Sequence, residues 1–513
     1  VLTDTSSKIA VETNGVNPVV DAERRGTPKG LFVVWFSWNV SILGIGYGIF
    51  IVGLGLNAWQ AILAGLIGYA VSTMLVGVLA VGGPRTGLPT LTHTRFSFGV
   101  QGNKFPTFWV YISNLGWKVT LLALAATSGA SLLTRLWPTS FPNNAHNHKG
   151  NVQAIVLWFV IALVVTMIVA VVGHRLILRL ENWIAWITGL MTVIFIILII
   201  PKIDWGKLGN AQVGSFSSFI GGVVLAMTIV GLGYLNNGGD FARYLPRTTP
   251  ARSVIGWTVV GITVPVTVLL VLGAVIATTD PGLARVASND PIGALTSLLP
   301  LWFLIPFTIV IVLSMIAAAV NGLYSSGLTL LALGVPYSRA ACTVMNMVAI
   351  TAGASYLLFV SDSFLATFQA FLAIISVVMG SMAAIQITDF PRQRRLGWNT
   401  DLARPNGEGG RAGRWTALVS LGVSCFVGLG TVTSSDPYIA KITGFLLSDS
   451  AAKSTIGTSN IGVLIAMVAA AGLYSMFTYV LGIELPGRPA PVAAAAQPDP
   501  THLASATESV EGA

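Results

Sequence analysis

Lys118 is the one lysine or arginine that falls deep inside an apolar segment of this chain. A charged side chain at the centre of a bilayer costs a few kcal/mol, so such residues usually face a cavity or a partner. Its chemistry would be that of a proton-linked amine, or of an anchor for an electronegative ligand. Snorkelling from a helix end is the structural alternative, but Trp117 already lies about twelve residues into the segment. Trp117 offers a flat apolar platform with a donor edge, the kind of surface that holds planar heterocycles by stacking. At helical spacing Asn114, Trp117, Lys118 and Leu121 share one face. Packing or lipid contact would equally explain one tryptophan among fourteen.

Other polar residues sit where a membrane segment would have to satisfy them. Asn321, followed by Tyr324, Ser325 and Ser326, makes a polar stripe that must face protein, ligand or water. Interhelical hydrogen bonding is its bland reading. Ser37, Asn39 and Ser41 lie in the first segment beside Trp35 and Trp38, and Gln369 is an isolated amide in the tenth. Asp240 and Arg243 stand at i, i+3 where the sixth segment ends, suited to an ion pair or a gate rather than to ligand contact. His93, His146, His148 and His174 fall in loops, and no His or Cys cluster has metal-ligand spacing.

These residues must be positioned by membrane helices. The 513-residue chain is 54% apolar and 9% charged, against about 25% charged in a soluble protein. Apolar runs bounded by charge or proline predict twelve spans, near 32–55, 59–82, 105–134, 152–173, 182–200, 216–237, 254–278, 300–333, 339–360, 364–388, 415–434 and 460–482. The third and eighth are long enough to imply tilt. With the N-terminus inside, the inner segments hold 20 Lys and Arg and the outer loops seven. That bias predicts both termini in the cytoplasm of a multi-pass cell membrane protein. The net charge of +9 follows from this topology, and no basic cluster with interleaved aromatics suggests nucleic-acid binding.

Gly44-Ile45-Gly46-Tyr47 in the first segment and Gly231-Leu232-Gly233-Tyr234 in the sixth carry the same interruption. Glycine pairs weaken a helix. Paired breaks at corresponding places in two halves point to a midplane site of the transporter kind. Cys342 and Cys425 suggest neither a disulfide framework nor a metal site. No P-loop appears, so an ATP-driven pump is not expected. An enzyme inside the membrane would want paired Asp, His or Glu groups within the spans, and these are missing. No cofactor, metal or obligate protein partner is inferred. Residues 1–28 and 486–513 are expected to be disordered cytoplasmic tails, and 389–414 a basic, Gly-rich cytoplasmic linker.

With these motifs in order, the sequence resembles the nucleobase–cation symporter family, in its purine–cytosine permease branch, over about residues 20–485. WFSWN (Trp35–Asn39) looks like its first-span pattern. GGPRTGLPTLTHTRFSFGVQGNKFP (Gly82–Pro106) resembles its inner loop. Gly116-Trp117 stands at its third-span tryptophan, DFARYLP (Asp240–Pro246) at its D-[YF]-x-R-Y-x-P, and NGLYSSGLTLLALG at its eighth-span signature.

The resemblance implies an all-α membrane protein with twelve helices and a LeuT-type inverted repeat. Residues 29–201 and 202–388 would be the two five-helix halves. Spans 1 and 6 would be broken, and 415–485 would hold two peripheral helices. It implies alternating access, with a small planar heterocycle bound between spans 1, 3, 6 and 8. Trp117 would be the platform, Asn321 a polar contact, and Gly231, Gly233 and Tyr234 the opposite side. Closure would involve the outer part of span 10, with Gly380 as a hinge or a packing position.

Two departures matter. Leu121 stands where sodium-coupled members offer a glutamine. Ala317 and Ala318 stand where they place hydroxyls. Alanine supplies no oxygen ligand, so proton coupling is expected, with Lys118 as the titrating charge. Allantoin, hydantoin or a pyridoxine- or thiamine-like vitamin is the rival substrate class.

Overall fold

The structure, a computed structural model, describes residues 17–142, 150–172, 174–333, 339–404 and 414–483. His146 and His148 lie outside these. At His174, Asn321, Tyr324 and Ser325 the backbone alone is described.

Helix α1 (Pro28–Asn39) starts where Thr27 accepts from the Gly30 amide, with proline at its first position, the arrangement helix starts favour. It stops at Asn39, and α2 (Leu43–Val52) continues at an angle of 71°. The stop has a local cause. Asn39 Nδ2 donates to the Trp35 carbonyl at 2.8 Å, and the Ser41 hydroxyl accepts from the Leu43 amide at 3.4 Å. Such side chains compete with the helical ladder.

The interruption therefore falls at residues 40–42 and not at the first glycine pair, which lies within α2. The glycines of α2 serve close packing instead. A β-carbon on Gly44 would lie 2.8 Å from Leu269, and one on Gly48 would lie 2.2 Å from the Leu270 carbonyl. Both contacts are with α8 (Ala251–Thr279), whose own Gly273 meets the Ile45 carbonyl. Small residues let membrane helices approach backbone to backbone.

Between α2 and α8 run four long helices: α3 (Ala58–Ala80), α4 (Lys104–Leu136), α5 (Val152–Val172) and α6 (His174–Ile199). Asn57 and Gln60 close a reciprocal capping box at the start of α3, satisfying two otherwise orphaned amides. After α6 comes α7 (Phe216–Ile229), capped by Ser215. Its ladder then fails. A single 3₁₀ turn at Leu232–Tyr234 leads to a five-residue helix at Gly238–Ala242. Here the second glycine pair does coincide with the irregular backbone. After α8 come α9 (Leu301–Ala332), α10 (Arg339–Ser355), α11 (Phe364–Arg395), α12 (Trp415–Thr431) and α13 (Gly462–Ser475). Two short helices, Pro281–Ala287 and Pro291–Ser297, lie between α8 and α9.

Among the described residues, ten helices are long and apolar enough to cross a membrane, and eleven if the bent α1–α2 pair is one span. The remaining segment, α12, has 17 residues, short of the ~20 that a perpendicular span needs. Leu190, Trp183, Trp186, Val348 and Val468 on the outer helices are exposed, as lipid contact requires.

Two expected boundaries change. Residues 17–27 are not a free tail: the Val19 amide donates to Gly87 O at 3.0 Å and the Gly26 amide to Tyr244 O at 3.0 Å, with Val19 and Arg24 buried. The expected linker begins late, because α11 runs on to Arg395 and buries Asp389, Arg392 and Gln393.

Candidate substrate and coupling site

The Trp117 indole of α4 lies over the irregular backbone that follows α7. A β-carbon on Gly233 would sit 3.6 Å from its ring, in ordinary contact. On the other side α11 supplies two edge-on aromatics, Phe368 at 5.7 Å and Phe371 at 6.5 Å between centroids. Gly116 makes this possible, since a β-carbon there would lie 2.2 Å from the Phe371 ring. Phe364 stacks on Phe368 at 5.6 Å. Helices α4 and α11 and the Gly231–Tyr234 turn thus build one aromatic wall. Gly231 itself backs onto α3, where a β-carbon would meet Ser72 Oγ at 2.2 Å.

Lys118 points elsewhere. It is buried, and its Nζ donates to the Asn114 carbonyl at 2.6 Å and to Ser326 Oγ of α9 at 2.8 Å. Gly322 makes room for it, because a β-carbon there would lie 2.2 Å from Lys118 Cε. Among the described residues no carboxylate lies within 4.0 Å of this ammonium. Trp117 and Lys118 therefore face different neighbours, one the aromatic wall and the other α9. Asn114 contributes its carbonyl to Lys118, and Leu121 is half-buried and apolar.

Asn39 and Tyr234 meet at the two interruptions. The Tyr234 hydroxyl donates to Asn39 Oδ1 at 3.2 Å, and the fully buried Trp35 ring sits 5.3 Å from Tyr234 and 5.3 Å from Phe241. Both polar groups of the Asn39 amide are engaged within the protein. Ser37 bonds its own helix at Val34 O. Gln369 is not beside Trp117. It lines a separate small cavity of about 40 Å³ with Thr228, Thr458, Ser459 and Asn460. Ala317 is half-buried and Ala318 exposed. The expected contact from Asn321 lies outside the described side chains.

Two carboxylates hold the connection after α3: Asp240, half-buried in the short Gly238–Ala242 helix, and Asp389, buried near the end of α11. Asp240 Oδ1 accepts from the Thr90 amide at 2.8 Å, and the Gly239 amide donates to Thr90 Oγ1 at 2.8 Å. Asp389 is fully buried and accepts from Arg392 Nε at 2.6 Å, Tyr474 OH at 2.6 Å, Ser97 Oγ at 3.0 Å and Gln393 Nε2 at 3.0 Å. Sequence reasoning missed Asp389, Phe368 and Phe371. A signal for the first was present: Asp389-Phe390-Pro391-Arg392 repeats the D-F-x-R of Asp240–Arg243. Gly380, read as a hinge or a packing position, packs on α13, where a β-carbon would lie 2.8 Å from Met467.

With this geometry in hand, known proteins give a consistent picture. The chain is similar to two structures of Mhp1. One, a nucleobase-cation-symport-1 family transporter in a closed conformation with bromovinylhydantoin bound, gives a TM-score of 0.62 at 18% identity over 93% of this chain and 97% of that one. The inward-facing conformation gives 0.70 at 17% identity over 93% and 96%. The fold is therefore that of Mhp1, of the LeuT type. Among curated proteins it is 27% identical to YxlA of Bacillus subtilis (strain 168), provisionally named a purine-cytosine permease, over 53% of this chain and 55% of that protein. It is 23% identical to the purine-cytosine permease FCY21 of Saccharomyces cerevisiae over 56% and 53%. These matches span about half the length of each relative. Residues 18–448 match the family described as permease for cytosine/purines, uracil, thiamine, allantoin. The chain belongs to that family of membrane permeases, and it is not an enzyme.

Proposed function

We propose that this protein is a secondary active symporter that imports a purine or pyrimidine nucleobase, driven by protons. The observation that carries the reading is the Trp117 indole, set between Gly233 at the interrupted backbone and Phe368 and Phe371. A planar base stacks on such a wall, and freed backbone groups at the interruption supply directed hydrogen bonds. The chain would cross a cell membrane twelve times in a 5+5 inverted repeat, with α1–α2 and α7 to Ala242 as its broken spans. Both termini would lie in the cytoplasm.

Proton coupling is supported by Lys118. Its buried ammonium, held by Ser326 and Asn114 O, places a titratable group between two spans. Proton loss would free α9 from α4, and the resulting shift between states gives alternating access. The aromatic wall at Trp117 would accept the substrate from outside. Inner opening would then release substrate and proton together.

A second reading keeps the fold and changes the cargo to allantoin, a hydantoin or a pyridoxine- or thiamine-like vitamin. Leu121 favours it, because an apolar side chain beside the platform removes one directed bond to a base. Uptake of radiolabelled cytosine and hypoxanthine into proteoliposomes, under separate proton and sodium gradients, tests both. Proton-driven accumulation of a base is the expected result. Accumulation driven by sodium alone would overturn the coupling assignment, and no base uptake with binding of allantoin or hydantoin would move the substrate class.

A further inference from the structure

The connection between α3 and α4, residues 82–103, is fixed at its two ends to different parts of the molecule. Its first arm belongs to the segment before α1 and to the short Gly238–Ala242 helix. Thr90 is bonded to Asp240 and Gly239, as above. The Pro84 carbonyl accepts from Arg24 Nη1 at 3.0 Å, and a β-carbon on Gly83 would lie 2.8 Å from the Arg243 amide. Its second arm belongs to α11 and the entry to α12. Ser97 donates to Asp389. The Phe96 carbonyl accepts from Arg392 Nη2 at 2.5 Å and Arg414 Nη1 at 3.2 Å, and the Phe98 carbonyl from the Arg414 amide at 2.9 Å. Each arm is thus clamped by one of the two D-F-x-R motifs.

Between the arms the chain turns at two four-residue helices, Thr90–His93 and Arg95–Phe98. His93 sits at that joint, 3% exposed. Its ring lies 5.1 Å from Phe96, 5.8 Å from Phe390 and 5.9 Å from Trp398. Its other edge faces Gly82, where a β-carbon would come within 2.7 Å of Nε2. That nitrogen is buried and has no hydrogen-bond partner among the described residues. The ring is therefore wedged between the first arm and the anchor of the second. Asn103 Nδ2 donates to Leu91 O at 2.9 Å across the closed joint.

We propose that residues 82–103 form a jointed inner gate whose arms move with different bodies of the transporter, and that His93 is the titratable wedge that keeps the joint shut. The proposal rests on the alternating-access reading above, which supplies the two bodies. An apolar cage tolerates a neutral imidazole and rejects an imidazolium. The ionisable group that acts on the ring is Asp389 of α11, whose carboxylate is bonded to Arg392, to Arg414 before α12 and to Tyr474 of α13, and Arg95 lies two residues on along the connection. Burial disfavours the proton on His93 and the charge of Asp389 favours it. Burial wins and pushes His93 down to about 4.

Opening the joint returns the ring to water, where its pKa is about 6.5. The open joint then binds more protons than the closed one. Closure is fully favoured above pH ~6.5 and is lost as the pH falls from there toward ~4. At pH ~5.5 the open-to-closed ratio would rise about tenfold. Acidification of the inner side would thus open the gate.

The test uses the purified full chain in detergent with Cys342→Ala, Cys425→Ala and Thr92→Cys, so that one buried thiol reports on the joint. Maleimide labelling rates are measured between pH 7.5 and about 5.5, with His93 and with His93→Gln, and their ratio cancels the intrinsic pH dependence of the thiol. The ratio is expected to stay flat down to pH ~6.5 and then to rise about tenfold by pH ~5.5. A ratio that does not change with pH overturns the proposal. Should the glutamine variant fail to fold, the His93 chain normalised to itself in denaturing detergent gives the same reading. Uptake by the same preparations separates the two ideas. Uptake with a flat ratio removes the gate alone, and a rising ratio without uptake of any heterocycle removes the transport reading alone.

Discussion

Stacking on Trp117 and the charge of Lys118 make separable demands, because the two side chains face different helices. Base–aromatic stacking is worth about 1–3 kcal/mol by alanine substitution. Trp117→Ala is therefore expected to weaken substrate binding by about five- to a hundredfold, and Trp117→Phe by less, read by radioligand binding. Lys118→Gln should leave binding within a few fold while abolishing accumulation driven by a proton gradient. Full proton-driven accumulation by that variant would exclude Lys118 as the proton carrier. Its partner gives a companion test: Ser326→Ala removes one of two bonds to the ammonium and should shift the pH profile of uptake without removing it. The platform and the buried lysine were both legible from residue type and depth in a span. That they point apart was not, since neighbours one residue apart on a helix are separated by the packing of α9 and α11.

At the level of elements, the glycines of α2 and α8 matter more for assembly than for flexibility. A β-carbon on Gly48 would come within 2.2 Å of a main-chain oxygen, which no rotamer change can relieve. Gly48→Val is expected to lower thermal stability by several kcal/mol equivalent, or to abolish the folded yield, in a fluorescence size-exclusion melt. Gly46→Ala, whose β-carbon would meet nothing nearer than Pro291 at 3.6 Å, should melt close to the parent. The first glycine motif was read as a helix break because glycine weakens helices. The break fell instead where Asn39 and Ser41 offer local hydrogen bonds, a competition that depends on side-chain geometry.

For the whole molecule, Asp389 joins the connection after α3, the end of α11, the entry to α12 and the last turn of α13 through one carboxylate. Removing one member of a buried charge cluster costs about 3–5 kcal/mol, because the remaining charges lose their partner. Asp389→Asn is accordingly expected to lower the melting temperature more than Asp436→Asn, at a site between α12 and α13 that is bonded to Thr367 and to loop amides. Equal melting temperatures would show that the last two helices are held by lipid-like packing alone. The pair α12–α13, expected to be peripheral, is thereby tied to the C-terminal end of α11.

Residue composition and run length are enough to identify a bilayer as the solvent and the residue types that its interior must satisfy, whereas the twelve expected spans compare with ten or eleven membrane-length helices among the described residues. Charge density, run length and the isolated polar residues Lys118, Trp117 and Asp240 are local properties, and a bilayer reads them one span at a time. Which of these residues meet depends on how the helices pack. Phe368 reaches Trp117, Ser326 reaches Lys118 and Ser97 reaches Asp389 across 251, 208 and 292 residues of chain respectively. Such partnerships follow from where whole helices cross, and helix crossing depends on glycine contacts summed over both surfaces. No window of sequence contains both sides of such a contact.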